Sequence, residues 1–151
     1  AMTNDPTFPQ MNAINDYWEK IGGSHALPGT VSSPDRFVRG YFFDGHVKKT
    51  GDADLGVSII RSILMNVSVP YTYTLGDANV SSTQWRSFSN IRDRRYYFDV
   101  VTNPGLFYID LSKCDLRKGA SVMKLDVSKS GDYVGDVTYK LFKSSPFNPM
   151  Y

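Results

Sequence analysis

Residues 96–101 read YYFDVV and residues 106–111 read LFYIDL, and these two runs decide the fold. Both are rich in aromatic and branched aliphatic side chains, a composition typical of β-strands. Both are apolar almost throughout, so neither shows the alternation of a strand with one face in water. We therefore expect a sheet whose two faces are both covered.

The sequence around these runs predicts an antiparallel β meander. Residues 90–93, NIRD, are expected to form the turn of a hairpin, and Asn103-Pro104-Gly105 a second turn. Residues 133–141 fit either a strand or a helix. Four strands are predicted, over residues 81–89, 95–101, 106–111 and 120–127.

Three amphipathic helices are predicted ahead of the strands, because apolar residues recur there at three- and four-residue spacing. The predicted helices cover residues 11–21, residues 33–45 and residues 55–67. Ser33 is expected to be the N-cap of the second helix with Pro34 at its first position, and Asp52 or Asp54 the cap of the third. Helices followed by a meander give an α+β fold.

The cover expected for the sheet exceeds what this chain offers. Three helices are enough for one face, so we expect the other face to lie against a second sheet that this chain does not encode. Residues 3–6, TNDP, are turn formers that follow only Ala1-Met2. Since a turn joins two elements, the chain is expected to begin at the edge of a larger fold.

Composition narrows the classes of function. The chain has 151 residues and a net charge of +2, which gives no basis for a nucleic-acid or anionic-membrane partner. No apolar run approaches the roughly 20 residues of a membrane span. Cys114 is the single cysteine, so no internal disulfide can form. The cysteine count therefore does not decide between an oxidising and a reducing cellular compartment.

The residue types of common catalytic motifs are sparse. The two histidines, His25 and His46, lie in no nucleophile motif, and with one cysteine they give no zinc spacing. We therefore expect no metal and no cofactor. Cys114 is interpreted as a small buried hydrophobic residue beside Leu111 and Leu116. The arginines near the predicted hairpin turn, namely Arg92, Arg94 and Arg95, are interpreted as a solvated tip rather than a single-strand binding surface.

Arg39 and Asn4 each allow two interpretations. Arg39 shares a predicted helix with Phe37 and Phe42 and needs an anionic partner, which is either Asp35 four residues earlier or a group of a functional site. Asn4 either closes a local turn or presents its amide to a substrate carbonyl or leaving group.

Segments along nearly the whole chain resemble the choloylglycine hydrolase family, which contains bile salt hydrolases and penicillin V acylases. The segments that carry the resemblance are MTNDPTF, GGSHALPGTVSSPDRFVRG, NVSVPY and SSTQWRSFSNIRDRRYYFDVVTNPGLFYIDLSKCDL, in this order. NVSVP and SSTQWRS look most like the branch typical of Gram-negative bacteria. The localisation therefore stays open between the bacterial cytoplasm and the periplasm.

The resemblance implies that residues 1–151 are the C-terminal part of an N-terminal-nucleophile (Ntn) hydrolase domain. This family folds as a four-layer αββα sandwich, and its nucleophile is a cysteine at the mature N-terminus whose α-amino group acts as the base. An N-terminal half carrying that cysteine is thus the expected partner. The loop at residues 22–33 falls where family members have a segment used in tetramer packing, which implies a homo-oligomer.

Two family active-site positions match residues of this chain. Asn4 matches the asparagine of the TN-x-P motif, which implies a hydrogen bond near the scissile amide. Arg39 matches the second arginine of RFVRA, with Gly40 in place of the common alanine, which implies a cation close to the cysteine and its aspartate.

The function implied is hydrolysis of a non-peptide C–N amide through an acyl-enzyme. Conjugated bile salts, penicillin V and N-acyl homoserine lactones are the candidate substrates, and this chain alone is expected to be inactive. The alternative is a non-catalytic module that keeps the half-fold for binding or assembly.

Overall fold

The computed structural model describes residues 5–21, 26–74 and 82–145. The chain divides between Thr83 and Gln84 into two compact units. Helices make up the first unit, and strands with short 3-10 turns make up the second. The α+β class, with helices first and an antiparallel-rich sheet after them, is therefore confirmed.

The three predicted helices are present as α1 (Phe8–Lys20), α2 (Ser33–His46) and α3 (Ala53–Asn66). Helix α1 begins three residues before its apolar stripe. Its start is fixed by Gln10, whose Oε1 accepts hydrogen bonds from the backbone N–H and the hydroxyl of Thr7 at 3.0 and 2.7 Å.

The caps of the next two helices were predicted with mixed success. Ser33 as N-cap is wrong, because the cap is Ser32, whose hydroxyl accepts from the Asp35 N–H at 3.4 Å, and Ser33 is the first helical residue. Pro34 is tolerated one position later because first-turn N–H groups lack helical acceptors in any case. Asp52 is confirmed as the cap of α3, accepting from two backbone N–H groups at 2.9 and 3.1 Å.

The second unit contains a four-stranded sheet in the order β1-β2-β3-β5 and a two-stranded sheet of β4 and β6. The meander β1-β2-β3 is antiparallel, and β5 pairs with β3 in parallel. The strands are β1 (Trp85–Asn90), β2 (Arg95–Val100), β3 (Phe107–Asp110), β4 (Met123–Lys124), β5 (Gly135–Asp136) and β6 (Phe142–Lys143).

The sequence was least informative after β3. The strand predicted over residues 120–127 is reduced to the two residues of β4, which pair with β6 outside the main sheet. The ambiguous residues 133–141 contain both β5 and a 3-10 turn, Thr138–Lys140. The hairpin turn lies at residues 91–94, one position later than predicted, with Arg94 in the left-handed region at φ 54°.

The central strands bury side chains on both faces, as their apolar sequences predict. On one face Phe107 packs with Tyr133 and Val137, so the chain supplies part of that cover itself. On the other face Tyr97 and Asp99 are also buried. Cover is incomplete, since Trp85 and Tyr96 remain 55% and 39% exposed. A second sheet from outside this chain stays a prediction.

Candidate functional site

The candidate site is built around Arg39 on α2. Its Nε donates to the Asn66 carbonyl at 3.0 Å, and its Nη1 donates to the Pro28 and Thr30 carbonyls at 2.7 and 2.8 Å. The acceptors come from the loop before α2 and from the end of α3. One guanidinium thus ties two helices and a loop together, and the three bonds fix its plane.

The loop before α2 is held in place by the polar residues at the start of the helix. The Thr30 hydroxyl and N–H both donate to Asp35 Oδ2, at 2.5 and 3.3 Å. Arg36 Nε donates to the Val31 carbonyl at 3.0 Å. Asp35 therefore bonds the loop, and the Asp35–Arg39 ion pair that the sequence allowed is not formed.

The electrostatics of Arg39 favour an anionic partner. The side chain is half-buried, and burial lowers the pKa of the guanidinium, an effect that the negative charge of Asp35 opposes. Within the described residues Arg39 forms no ion pair, and its Nη2 makes no hydrogen bond. The cation is therefore oriented but not neutralised.

Asn4, the other predicted site residue, lies outside the described residues, so the structure does not bring it together with Arg39. Its role stays a prediction. His25 lies outside them as well, whereas His46 stacks on Phe42 at 4.0 Å between ring centroids and places Nδ1 2.7 Å from the Phe42 carbonyl. Both contacts lie within α2, and they give His46 a structural role at the C-terminal end of that helix.

Cys114 does not have the surroundings of a nucleophile. Burial raises the pKa of its thiol, and the charges of Asp110 and Asp136 raise it further. The predicted apolar setting is wrong in detail, because the thiol is half-buried and its neighbours Leu111 and Leu116 are 38% and 73% exposed. The thiol lies 3.6 Å from the Asp110 carbonyl.

The hairpin arginines divide into two kinds. Arg92 and Arg94 are exposed at the tip, as predicted. Arg95 instead lies over the Tyr108 ring, 4.9 Å from its centroid, so it belongs to the sheet.

In the described ranges, no group of three or more His, Cys, Asp or Glu side chains is placed to hold a metal, and no helix is long and apolar enough to cross a membrane.

An ion pair between Arg86 and Asp99 was missed in the sequence. Arg86 Nε lies 2.9 Å from Asp99 Oδ2, and the Asp99 side chain is only 1% exposed. The two residues face each other across β1 and β2. With the hairpin turn at residues 91–94, counting outward along the two strands pairs Arg86 with Asp99. The predicted turn lay one residue too early and gave the wrong strand register, so the ion pair was missed.

Comparison with known proteins identifies the family. A family model described as linear amide C–N hydrolases, choloylglycine hydrolase family, matches residues 1–134. This chain belongs to that family. The structure also resembles a penicillin V acylase from Agrobacterium tumefaciens, with a TM-score of 0.88 and 37% identity over 99% of this chain and 48% of that one.

Three further relatives match this chain over part of their own length. A penicillin V acylase of Pectobacterium atrosepticum is 36% identical over 97% of this chain and 43% of its own length. A bile salt hydrolase/transferase of Bifidobacterium longum is 28% identical over 70% and 40%. A mutant conjugated bile acid hydrolase from Clostridium perfringens shares the fold, with a TM-score of 0.57 and 24% identity over 76% and 42%. This choloylglycine hydrolase family chain spans less than half of each relative.

Proposed function

We propose that this chain, together with residues outside it, forms a cysteine Ntn hydrolase that cleaves a non-peptide C–N amide. Linear amide hydrolysis is the activity of the family to which the chain belongs. The proposed mechanism rests on the surroundings of Arg39. Three carbonyls orient this half-buried cation, and it has no anionic partner among the described residues. Such a group suits an active site whose anions come from elsewhere.

The proposed reaction has two steps. The cysteine at the mature N-terminus of the remaining part transfers its thiol proton to its own α-amino group, and the thiolate attacks the amide carbonyl. A C–S bond forms, the C–N bond breaks, and the amine leaves with that proton. Water then hydrolyses the thioester, which releases a carboxylic acid and restores the thiol.

Arg39 and Asn4 have distinct roles in this proposal. Arg39 directs Nη2 towards the thiolate and its neighbouring aspartate, and a fixed cation there lowers the pKa of the thiol. The Asn4 amide donates a hydrogen bond near the scissile amide, where negative charge develops on the carbonyl oxygen. By the same family resemblance, the assembled enzyme is a homo-oligomer with the loop before α2 among its contacts.

Penicillin V is the substrate that the comparisons favour. The two acylases named for it match 97% and 99% of this chain at 36% and 37% identity. The bile salt hydrolase matches 70% at 28%. Conjugated bile salts and N-acyl homoserine lactones are the competing substrates.

The test uses the part of the Pectobacterium atrosepticum acylase that lies outside its alignment with this chain, here termed the complementary segment. Hydrolysis of penicillin V, glycocholate and an N-acyl homoserine lactone is measured for this chain, for the complementary segment and for their mixture. We expect hydrolysis only in the mixture, and fastest with penicillin V. A mixture that forms a stable complex and hydrolyses none of the three would contradict the proposal.

A further inference from the structure

Strand β1 forms one edge of the main sheet. Its six residues, Trp85–Asn90, pair with β2 on one side along their full length. Within the described part of the chain, no strand pairs with its other side. An edge strand presents a row of backbone donors and acceptors that another strand can use.

The ladder shows which backbone groups face outward. The Val101 N–H donates to the Gln84 carbonyl at 3.0 Å, and Trp85 lies opposite Val100. Because antiparallel residues alternate between bonded and non-bonded pairs, the N–H and C=O groups of Trp85, Ser87 and Ser89 point away from β2. Three donors and three acceptors are therefore available at regular spacing.

The two edges of this sheet differ. The opposite edge is β5, which has two residues, begins at Gly135 with a φ of +68° and is followed by a 3-10 turn. Short, irregular edges of this kind discourage pairing. β1 is three times as long, contains no proline or lysine, and directs its one charged side chain, Arg86, to Asp99.

The exposed side chain at the start of β1 also favours a neighbour. The Trp85 ring stacks on Phe98 with 5.1 Å between centroids, yet the residue is 55% exposed. A further strand beside β1 would place a side chain next to the indole and remove apolar surface from water.

We propose that β1 is the docking edge for an extended strand of the remaining part of the enzyme, which continues the sheet by backbone pairing. This rests on the proposed function, in which residues outside the chain complete the active site. A second copy of the chain is the less favoured occupant. In each relative more than half of the polypeptide lies outside the match, so there the matched part and the remaining part occur in equal number, which favours the remaining part as the occupant.

Residue-resolved hydrogen exchange tests the pairing directly. The amides of Ser87 and Ser89 are followed in this chain alone and after mixing with the complementary segment, with the inward-facing amides of Arg86 and Phe88 as internal controls. We expect fast exchange of the outward amides in the chain alone and exchange more than about tenfold slower in the complex. Binding without this protection, or no binding, would overturn the proposal, as would protection in the chain alone that grows with its concentration.

A pair of variants separates pairing from folding. Ser87→Pro removes one outward N–H, whereas the matched control Ser87→Thr keeps the N–H and suits a strand. We expect Ser87→Pro to weaken binding of the complementary segment at least about tenfold and Ser87→Thr to leave it unchanged. Equal binding by both variants would overturn the proposal, and hydrogen exchange of the unmodified chain decides the matter if Ser87→Pro does not fold.

Docking and chemistry can fail separately in these experiments. If the complex hydrolyses penicillin V while its Ser87 and Ser89 backbone amides exchange freely, the docking proposal is wrong and the proposed function stands. If these backbone amides are protected in a complex that hydrolyses none of the three substrates, the docking proposal stands and the proposed function is wrong.

Discussion

Arg39 combines a structural task with the chemical one proposed for it. Its Nε and Nη1 hold the Pro28, Thr30 and Asn66 carbonyls, and this leaves Nη2 in a fixed direction. The planar fork of a guanidinium makes this division possible, whereas an ammonium has no such fork. The sequence indicated that the cation needs a partner, but it could not show that backbone carbonyls anchor it, because those contacts span 9, 11 and 27 residues.

Substitution of Arg39 separates the two tasks. Arg39→Ala removes three charge-assisted bonds, so we expect a loss of about 1–3 kcal/mol in the free energy of unfolding. In the complex with the complementary segment, we also expect the alkylation of the nucleophilic cysteine to shift to higher pH, because the nearby cation is gone. Urea unfolding and the pH dependence of iodoacetamide alkylation measure these effects.

Arg39→Lys is the matched control, since it keeps a charge without the fork. It should restore much of the alkylation profile while recovering little of the stability. An unchanged alkylation profile in Arg39→Ala would remove the residue from the site and leave it a purely structural one.

Asp136 gives the stability of the second unit a dependence on pH. Hydrogen bonds from Lys113 and then Thr138 lower the pKa of its carboxyl from 3.8 to about 2. The stabilisation is therefore fully present above pH 3.8 and is lost as the pH falls towards 2. We expect Asp136→Asn to flatten the fall in unfolding free energy over this range, measured by urea unfolding at several pH values.

The control for Asp136 is its main partner. Lys113→Met should raise the pKa of the Asp136 carboxyl towards its ordinary value and flatten the same range of pH. A profile that keeps its slope in both variants would show that other carboxylates cause the acid sensitivity.

At the scale of elements, prediction succeeded where the pattern was local. The three helices and the first three strands follow from apolar spacing and from turn residues near each end. The sequence failed at residues 120–141, where short strands pair with distant partners: β4 meets β6, and β5 meets β3. Strands of two residues carry no period, so only tertiary contacts define them.

The loop between β2 and β3 depends on a close approach of backbone to backbone. The Gly105 N–H donates to Asn103 Oδ1 at 2.8 Å, and Asn103 Nδ2 donates to the Tyr133 carbonyl at 3.2 Å. A Cβ on Gly105 would lie 2.6 Å from both the Tyr133 carbonyl oxygen and a methyl group of Val134. This position therefore has no room for a side chain.

Gly105→Ala should accordingly destabilise the protein by about 1–3 kcal/mol, because the loop must move away from Tyr133. Gly45→Ala in α2 is the matched control, since nothing lies within 4 Å of its added Cβ. We expect that control to be neutral or stabilising by about 0.5–1 kcal/mol, as alanine favours a helix. Equal unfolding midpoints in urea for the two variants would contradict the packing seen at Gly105.

At the scale of the whole molecule, the strand sequences and the comparisons point the same way. YYFDVV and LFYIDL require cover on both faces, and the chain supplies part of it through Tyr133 and Val137. The sequence could not show this self-supplied cover, because its contributors lie in the irregular region after β3. The relatives are more than twice as long as the part this chain matches, which agrees with the proposal that residues outside the chain complete the active site.

The central claim is that the reactive sulfur comes from outside this chain. Intact-mass spectrometry of the mixture with the complementary segment, quenched in acid during turnover of penicillin V, tests it most directly. We predict that the acyl group of penicillin V appears on the complementary segment and that this chain keeps its unmodified mass. An acyl adduct on this chain, at Cys114, would contradict the account.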